Sequence, residues 1–208
     1  MATASKSGGR TPRGQGDLLR ERLIEAALDL LDEGHEPADV SIRGVTRQAG
    51  VSPTAFYLHF DGRDELMRTL LERGFTDFRR WIRSGAERGL DPQHRLKSAS
   101  AAYIDFSREQ PGRYRLIFAV DPIADGILEE AGGMPVVASA AFDDLVGLIA
   151  DYAGGGLPSE SAKTLAVGFW SGLHGYATLC QTQPQIAAMD DGQYVDLLAN
   201  AWLGPHSG

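Results

Sequence analysis

The sequence predicts an all-α protein, and three observations carry that expectation. Apolar residues recur at three- and four-residue spacings along nearly the whole chain, the period of a helix face and not of a strand. The breaks in that pattern carry helix punctuation. Ser-Pro and Asp-Pro pairs offer a capping oxygen and then a proline where a missing N–H costs nothing, and glycines follow where helices end. Sustained strand alternation is absent, and short runs such as MPVVASAAF fit a buried helix at least as well. With 208 residues, 43% of them apolar, the chain is long enough for one ordinary unit or two small ones.

Residues 1–16, MATASKSGGRTPRGQG, carry Lys6, Arg10 and Arg13 with no acid and are expected to be a disordered basic tail. Leu19, Leu23, Ala26, Ala27, Leu30 and Leu31 then share one helical face, and Gly34 ends that helix. Ser41 caps a short second helix that turns Ile42, Val45 and Ala49 inward and stops at Gly50. Ser52-Pro53 opens a third, closed by Phe60, and Asp61 to Asp64 cap a long fourth one with Leu66, Leu70, Phe78 and Trp81 on its apolar face. Asp91-Pro92 starts the next, broken by Pro111, after which GRYRLIF continues as a shorter piece. Further helices are expected from Asp121-Pro122 to Gly132-Gly133, from Met134-Pro135 to Gly154, from Ser159 to Gln183, and from Asp191 to Leu203.

A net charge of −8 argues against a chain coated all over in nucleic acid, but the distribution is uneven. Between Val40 and Arg63 stand three arginines, Arg43, Arg47 and Arg63, against one acid, Asp61, whereas residues 64–208 hold 12 Lys/Arg against 19 Asp/Glu. An anionic partner is therefore admissible at one end only. The single cysteine, Cys180, excludes an intramolecular disulfide and a cysteine-built zinc site and suits a reducing cytoplasm. No apolar run approaches the roughly 20 residues that span a bilayer.

The stretch RQAGVSPTAFYLHF places two short helices around a glycine turn, a helix-turn-helix pattern of about 20 residues. Val45, Ala49 and Val51 are small enough for the helices to cross closely. Phe56 and Phe60, four apart, anchor a helix too short to hold itself together. That leaves Ser52, Pro53, Thr54 and Ala55 at the leading end, the end that enters the major groove in such motifs. Thr54 offers a hydroxyl, and Ala55 or the Thr54 methyl can meet a thymine methyl. Tyr57, His59, Arg63, Ser41, Arg43 and Arg47 are candidate phosphate or flanking contacts. The plainer alternative is a helical hairpin with Tyr57 and His59 as half-buried spacers.

The segment SIRGVTRQAGVSPTAFYLHFDGRDEL resembles the DNA-binding domain of the tetracycline-repressor (TetR) family of bacterial regulators. The resemblance rests on Ser41, Ala49, Gly50, Val51, Ser52, Tyr57, His59, Phe60 and Leu66 and extends over roughly a quarter of the chain, Leu18 to Leu71. Many members carry lysine where this chain has Arg63, and Gly-Thr where it has Thr54-Ala55; the second departure alters base preference. The resemblance implies a helix-turn-helix DNA-binding domain at 17–64 and a helical ligand-binding and dimerisation domain at 65–208. PGRYRLIF and WSGLHGYATL further resemble the subgroup whose second domain carries a Trp…His-Gly signature, here Trp170, His174 and Gly175.

The nearly uncharged helix LAVGFWSGLHGYATLC has two apolar faces, so it must be covered on both sides. The resemblance points to a homodimer through this helix and the last one, with Phe169, Leu173, Tyr176, Cys180, Tyr194, Leu198 and Trp202 as interface candidates. A small-molecule pocket would be lined by Phe78, Trp81, Tyr103, Phe106, Tyr114, Phe118, Trp170 and His174, each of which could equally be plain core.

Catalytic motifs fail on inspection. GFWSGLHG has Phe169 and Leu173 where a nucleophile elbow around Ser171 needs glycines, and AGGGLPSESAK lacks the Gly-Lys of a phosphate loop. The five histidines show no metal-ligand spacing. No enzyme, cofactor or metal is expected. The expectation is a cytoplasmic, ligand-responsive repressor that binds a palindromic operator as a homodimer, with a protein-only helical adaptor as the alternative.

Overall fold

The computed structural model describes residues 13–118, 136–185 and 189–204. Among these, every regular element is helical: α1 (Arg13–Asp32), a 3-10 turn (Pro37–Asp39), α2 (Ile42–Gln48), α3 (Pro53–Phe56), α4 (Arg63–Ala86), α5 (Pro92–Glu109), α6 (Pro111–Phe118), α7 (Val136–Tyr152), α8 (Ser159–Thr182) and α9 (Asp191–Leu203). The helix expected at Asp121–Gly133 and the Met134-Pro135 start lie outside the described residues. So do residues 1–12, but α1 begins at Arg13, so the last four residues assigned to the tail are helical.

The caps read from the sequence at Ser41, Ser52 and Asp91 are in place, and Asp190, one residue before the expected start of the last helix, caps α9. Ser41, Ser52, Asp91 and Asp190 accept from the backbone N–H of Gly44 (3.1 Å), Ala55 (3.3 Å), His94 (2.9 Å) and Gln193 (3.1 Å), meeting donors that the first turn of a helix leaves without partners. At the start of α4 the cap differs from expectation. Gly62 occupies the capping position without a side-chain bond, and Glu65 reaches back to accept from the Asp61 N–H at 2.7 Å. Gly50, at φ +65°, supplies the left-handed residue that turns α2 into α3.

α3 is shorter than expected. Its α-helix covers only Pro53–Phe56, and the chain to Phe60 is held by turns in which the His59 and Phe60 N–H groups donate to the Phe56 carbonyl at 2.9 and 3.1 Å. A single helical turn does not persist alone. Burial holds it: Phe56 and Phe60 are covered completely, their rings stacked with centroids 5.3 Å apart.

Two cores organise the molecule. The first joins α1, α2 and α3 to the first two turns of α4 through Leu66, Met67, Leu70 and Leu71, and takes in Leu116 of α6. The second fills the space between α4, α5, α6, α7, α8 and α9. α6 therefore serves both: Leu116 faces the first core while Tyr114 and Ile117 belong to the second. Gly112 lets α6 approach α1, because a Cβ there would overlap the Leu31 carbonyl. Ion pairs stitch the same seam. Arg73 of α4 reaches Glu21 and Glu25 of α1 at 2.7 and 3.0 Å, and Arg113 of α6 reaches Asp32 at 3.2 Å.

Candidate functional site

The head presents a small, cation-bearing surface. Val45 and Ala49 are buried at the α2–α3 crossing, and Arg22 of α1 donates to the Ala49 carbonyl, tying off the end of α2. Outward stand Arg43, Arg47, Ser52, Pro53, Thr54 and Tyr57, while Ala55 and His59 are half-buried. Tyr57 is 59% exposed and rests edge-on against Phe56, so its hydroxyl is carried on a ring with one side fixed. The Ser41 and Ser52 oxygens accept cap bonds, and each hydroxyl proton remains available to a phosphate.

Two residues depart from expectation. Arg63, expected to reach a phosphate, donates from Nε to the Val40 carbonyl (2.9 Å) and from Nη2 to the carbonyls of Pro37 (2.7 Å) and Ala38 (3.3 Å). Its guanidinium holds the loop between α1 and α2 against α4. Leu58, passed over in the sequence, is 76% exposed at the same surface. The signal was present: Leu58 lies two residues from each buried phenylalanine, which puts it on the opposite side of the turn.

The eight aromatic candidates of the second domain do meet. Phe78 touches Tyr103, Phe106 and Phe118 at 5.3–5.4 Å between centroids, and Phe118 continues the network to Trp170 and His174. Its polar centre is a hydrogen-bonded cluster. The Trp170 indole N–H donates to the Tyr103 hydroxyl (3.2 Å), and His174 Nδ1 lies 2.9 Å from the Tyr103 hydroxyl and 2.7 Å from that of Tyr114. According to the tautomer, Nδ1 either accepts from one of these hydroxyls or donates to it, so the imidazole is hydrogen-bonded in its neutral form. Burial pushes the His174 pKa below its ordinary value and both tyrosines above theirs. All three groups are therefore neutral near pH 7. Trp81 and Phe106 also line a separate cleft of about 590 Å³ at the seam, with Arg73, Arg80, Asp105 and Arg113 in its walls.

The expected dimer face needs correction. Phe169, Leu173, Tyr176 and Leu198 are buried within their own chain, where they join the second core. Tyr176 stacks on Tyr194 at 3.9 Å, and Tyr194 donates to the Gly172 carbonyl. Cys180 is half-buried beside Arg108. Gly168 and Gly172 leave room for Trp202 and Leu198 of the same chain. The apolar residues that stay outside on α8 and α9 are Val167, Leu179, Leu197 and, in part, Trp202.

The family model described as "Tetracyclin repressor-like, C-terminal domain" matches residues 96–199, half of the chain, and "Bacterial regulatory proteins, tetR family" matches residues 23–70. The chain belongs to the TetR family. The head match includes all ten residues expected to face DNA, and the second contains Trp170, His174 and Gly175. This TetR-family chain is 30% identical over 168 residues to the HTH-type transcriptional activator FasR of Mycolicibacterium smegmatis, covering 80% of this chain and 73% of the relative. Solved structures share its fold. A tetR-family transcriptional regulator from Streptomyces coelicolor superposes with a TM-score of 0.64 at 22% identity, covering 88% of this chain and 79% of the other. The fatty acid degradation regulator FadR of Bacillus halodurans gives 0.66 at 14% identity, covering 96% and 99%. TetR-family proteins are transcriptional regulators and not enzymes, and the chain carries their DNA-binding domain. No helix among its described residues is long and apolar enough to cross a membrane.

Proposed function

We propose that this protein is a ligand-responsive repressor that binds a palindromic operator as a homodimer in the bacterial cytoplasm. One observation carries the DNA reading. The two phenylalanines of the recognition turn are wholly buried while Ser52, Pro53, Thr54 and Tyr57 stand outside, beside Arg43 and Arg47. Thr54 and Ala55 read base edges; Tyr57, Arg43, Arg47 and the two capping serines hold the backbone. The adaptor reading gives no reason for so small and basic a tip. Dimerisation joins α8 and α9 of two copies through Val167, Leu179, Leu197 and Trp202, because a lone subunit reads only half of a symmetric site. The effector binds at the aromatic cluster of the second domain, and the neutral Tyr103, Tyr114 and His174 give that site hydrogen-bonding groups without charge.

Repression follows from occupancy alone, since a dimer seated on a promoter blocks it. Activation is the second reading, favoured by the name of the Mycolicibacterium relative. The test is selection of duplexes from random DNA by the purified chain, then footprinting and a reporter driven by the selected site. A twofold-symmetric footprint and lower reporter output support the proposal. A rise in output establishes activation instead, and failure to select any sequence sinks the DNA reading.

A further inference from the structure

We propose that Leu58 is a base-reading residue of this chain, and that it reads the 5-methyl group of a thymine lying one turn behind the bases met by Thr54 and Ala55. The inference rests on the DNA-binding reading above and deepens it, by naming the chemistry through which the tip chooses a sequence.

Hydrogen bonds give the tip little discrimination. Its exposed side chains are Ser52, Pro53, Thr54, Tyr57 and Leu58, and none of them is an amide, a guanidinium or a carboxylate. The strongest base contacts are bidentate, from arginine or lysine to guanine and from asparagine or glutamine to adenine, whereas a serine or threonine hydroxyl serves either base. Among the described residues, the arginines around the tip are engaged by the fold. Arg20 donates to the Thr69 hydroxyl and covers the Phe60 ring, Arg22 holds the Ala49 carbonyl, and Arg63 holds the carbonyls of Pro37, Ala38 and Val40. Arg43 and Arg47 belong to α2, the helix that crosses the phosphate backbone in such motifs.

What the tip has left is apolar. The Leu58 N–H donates to the Ala55 carbonyl at 3.4 Å, so Leu58 follows Ala55 by one turn. It stands on the side of the turn away from Phe56 and Phe60, which are buried while Leu58 is exposed. With the Thr54 and Ala55 methyls it forms one apolar strip that runs back from the leading end. The thymine 5-methyl is the apolar group that a base edge offers in the major groove. Docking therefore takes Leu58 out of water favourably where a thymine stands opposite. Opposite cytosine or adenine the leucine covers an amino group and leaves that donor without a partner, which is costly. The same side chain thus attracts one base and penalises others.

The test starts from a duplex selected by the full chain. Each thymine of the half-site is replaced in turn by uracil, in both halves at once; uracil keeps every hydrogen-bonding group of the edge and lacks the methyl. The full chain, Leu58→Ala and Leu58→Met are titrated onto each duplex at one salt concentration. A buried methyl group is worth about fourfold, so at one position the full chain is expected to bind the uracil duplex roughly 15-fold more weakly, one methyl being lost in each half. At that position Leu58→Ala binds the thymine and uracil duplexes alike, and Leu58→Met, still apolar and long, keeps the penalty. Penalties at other thymines belong to Thr54 and Ala55 and are unchanged in Leu58→Ala. The leucine contact is overturned if Leu58→Ala keeps every uracil penalty of the full chain, if it weakens binding to all duplexes by one common factor, or if no thymine of the selected site shows a penalty; each of these leaves the helix-turn-helix reading standing. If the full chain selects no duplex, that reading fails and the contact falls with it.

Discussion

Arg63 and Tyr57 stand six residues apart and do opposite work. The Arg63 guanidinium is engaged by three carbonyls of the α1–α2 connection. Arg63→Ala is expected to lower the unfolding free energy by about 1.5–3 kcal/mol, the worth of bonds from a charged donor, and the loss should appear in urea melts without DNA. Tyr57 is exposed and stands out from the packed interior of the head. Tyr57→Ala should change stability by less than about 1 kcal/mol yet weaken operator binding roughly tenfold; full affinity in a titration would remove Tyr57 from the interface. His174 gives a pH dependence of known sign. Its folded pKa lies below the ordinary 6.5 because burial penalises the imidazolium. On acidification the unfolded chain takes up that proton first, so stability is complete above about pH 6.5 and declines as pH falls below it. Urea midpoints at pH 7.5 and 5.5 should differ less in His174→Gln than in the parent.

At the scale of elements, α3 has the least structure of its own and the greatest dependence on its neighbours. Four helical residues are held by two phenylalanines, an α1 arginine on Phe60 and a serine cap. Phe60→Ala should cost about 3–5 kcal/mol and abolish DNA binding by loosening the turn; retained operator affinity at unchanged stability would contradict this. The α8–α9 pair is held by close approach instead. Gly168 sits under Trp202 and Gly172 under Leu198, so a larger residue at either position pushes α9 outward. Gly172→Val is expected to lower stability by about 1–3 kcal/mol through overpacking, while Gly175→Ala, whose position has nothing within 4 Å, should be neutral.

At the scale of the whole molecule, the proposed dimerisation rests on the surface left on α8 and α9. Val167 and Leu197 are 51% and 57% exposed. The double variant Val167→Arg/Leu197→Arg should therefore sediment as a monomer with its helix content intact, and an unchanged dimer would move the interface elsewhere. Head and body meet along a seam that combines the Gly112–Leu31 approach with ion pairs from Arg73 and Arg113 to α1. Any effector signal from Tyr114 has a short route to the head, because two residues further along α6 Leu116 enters the first core.

Helix periods, caps and glycine stops are local, so the order of helices, the recognition turn and its exposed tip could be read from neighbouring residues alone. The aromatic cluster was also legible, since its members recur at helical spacing on four elements. What only the tertiary structure decided is how each side chain is used. Arg63 serves the fold because a distant loop brings carbonyls to it. Phe169, Leu173 and Leu198 close the chain's own core because α5, α8 and α9 pack against one another. An apolar face in a sequence states that it must be covered; which surface covers it depends on where the remaining helices lie, and that is not a local property.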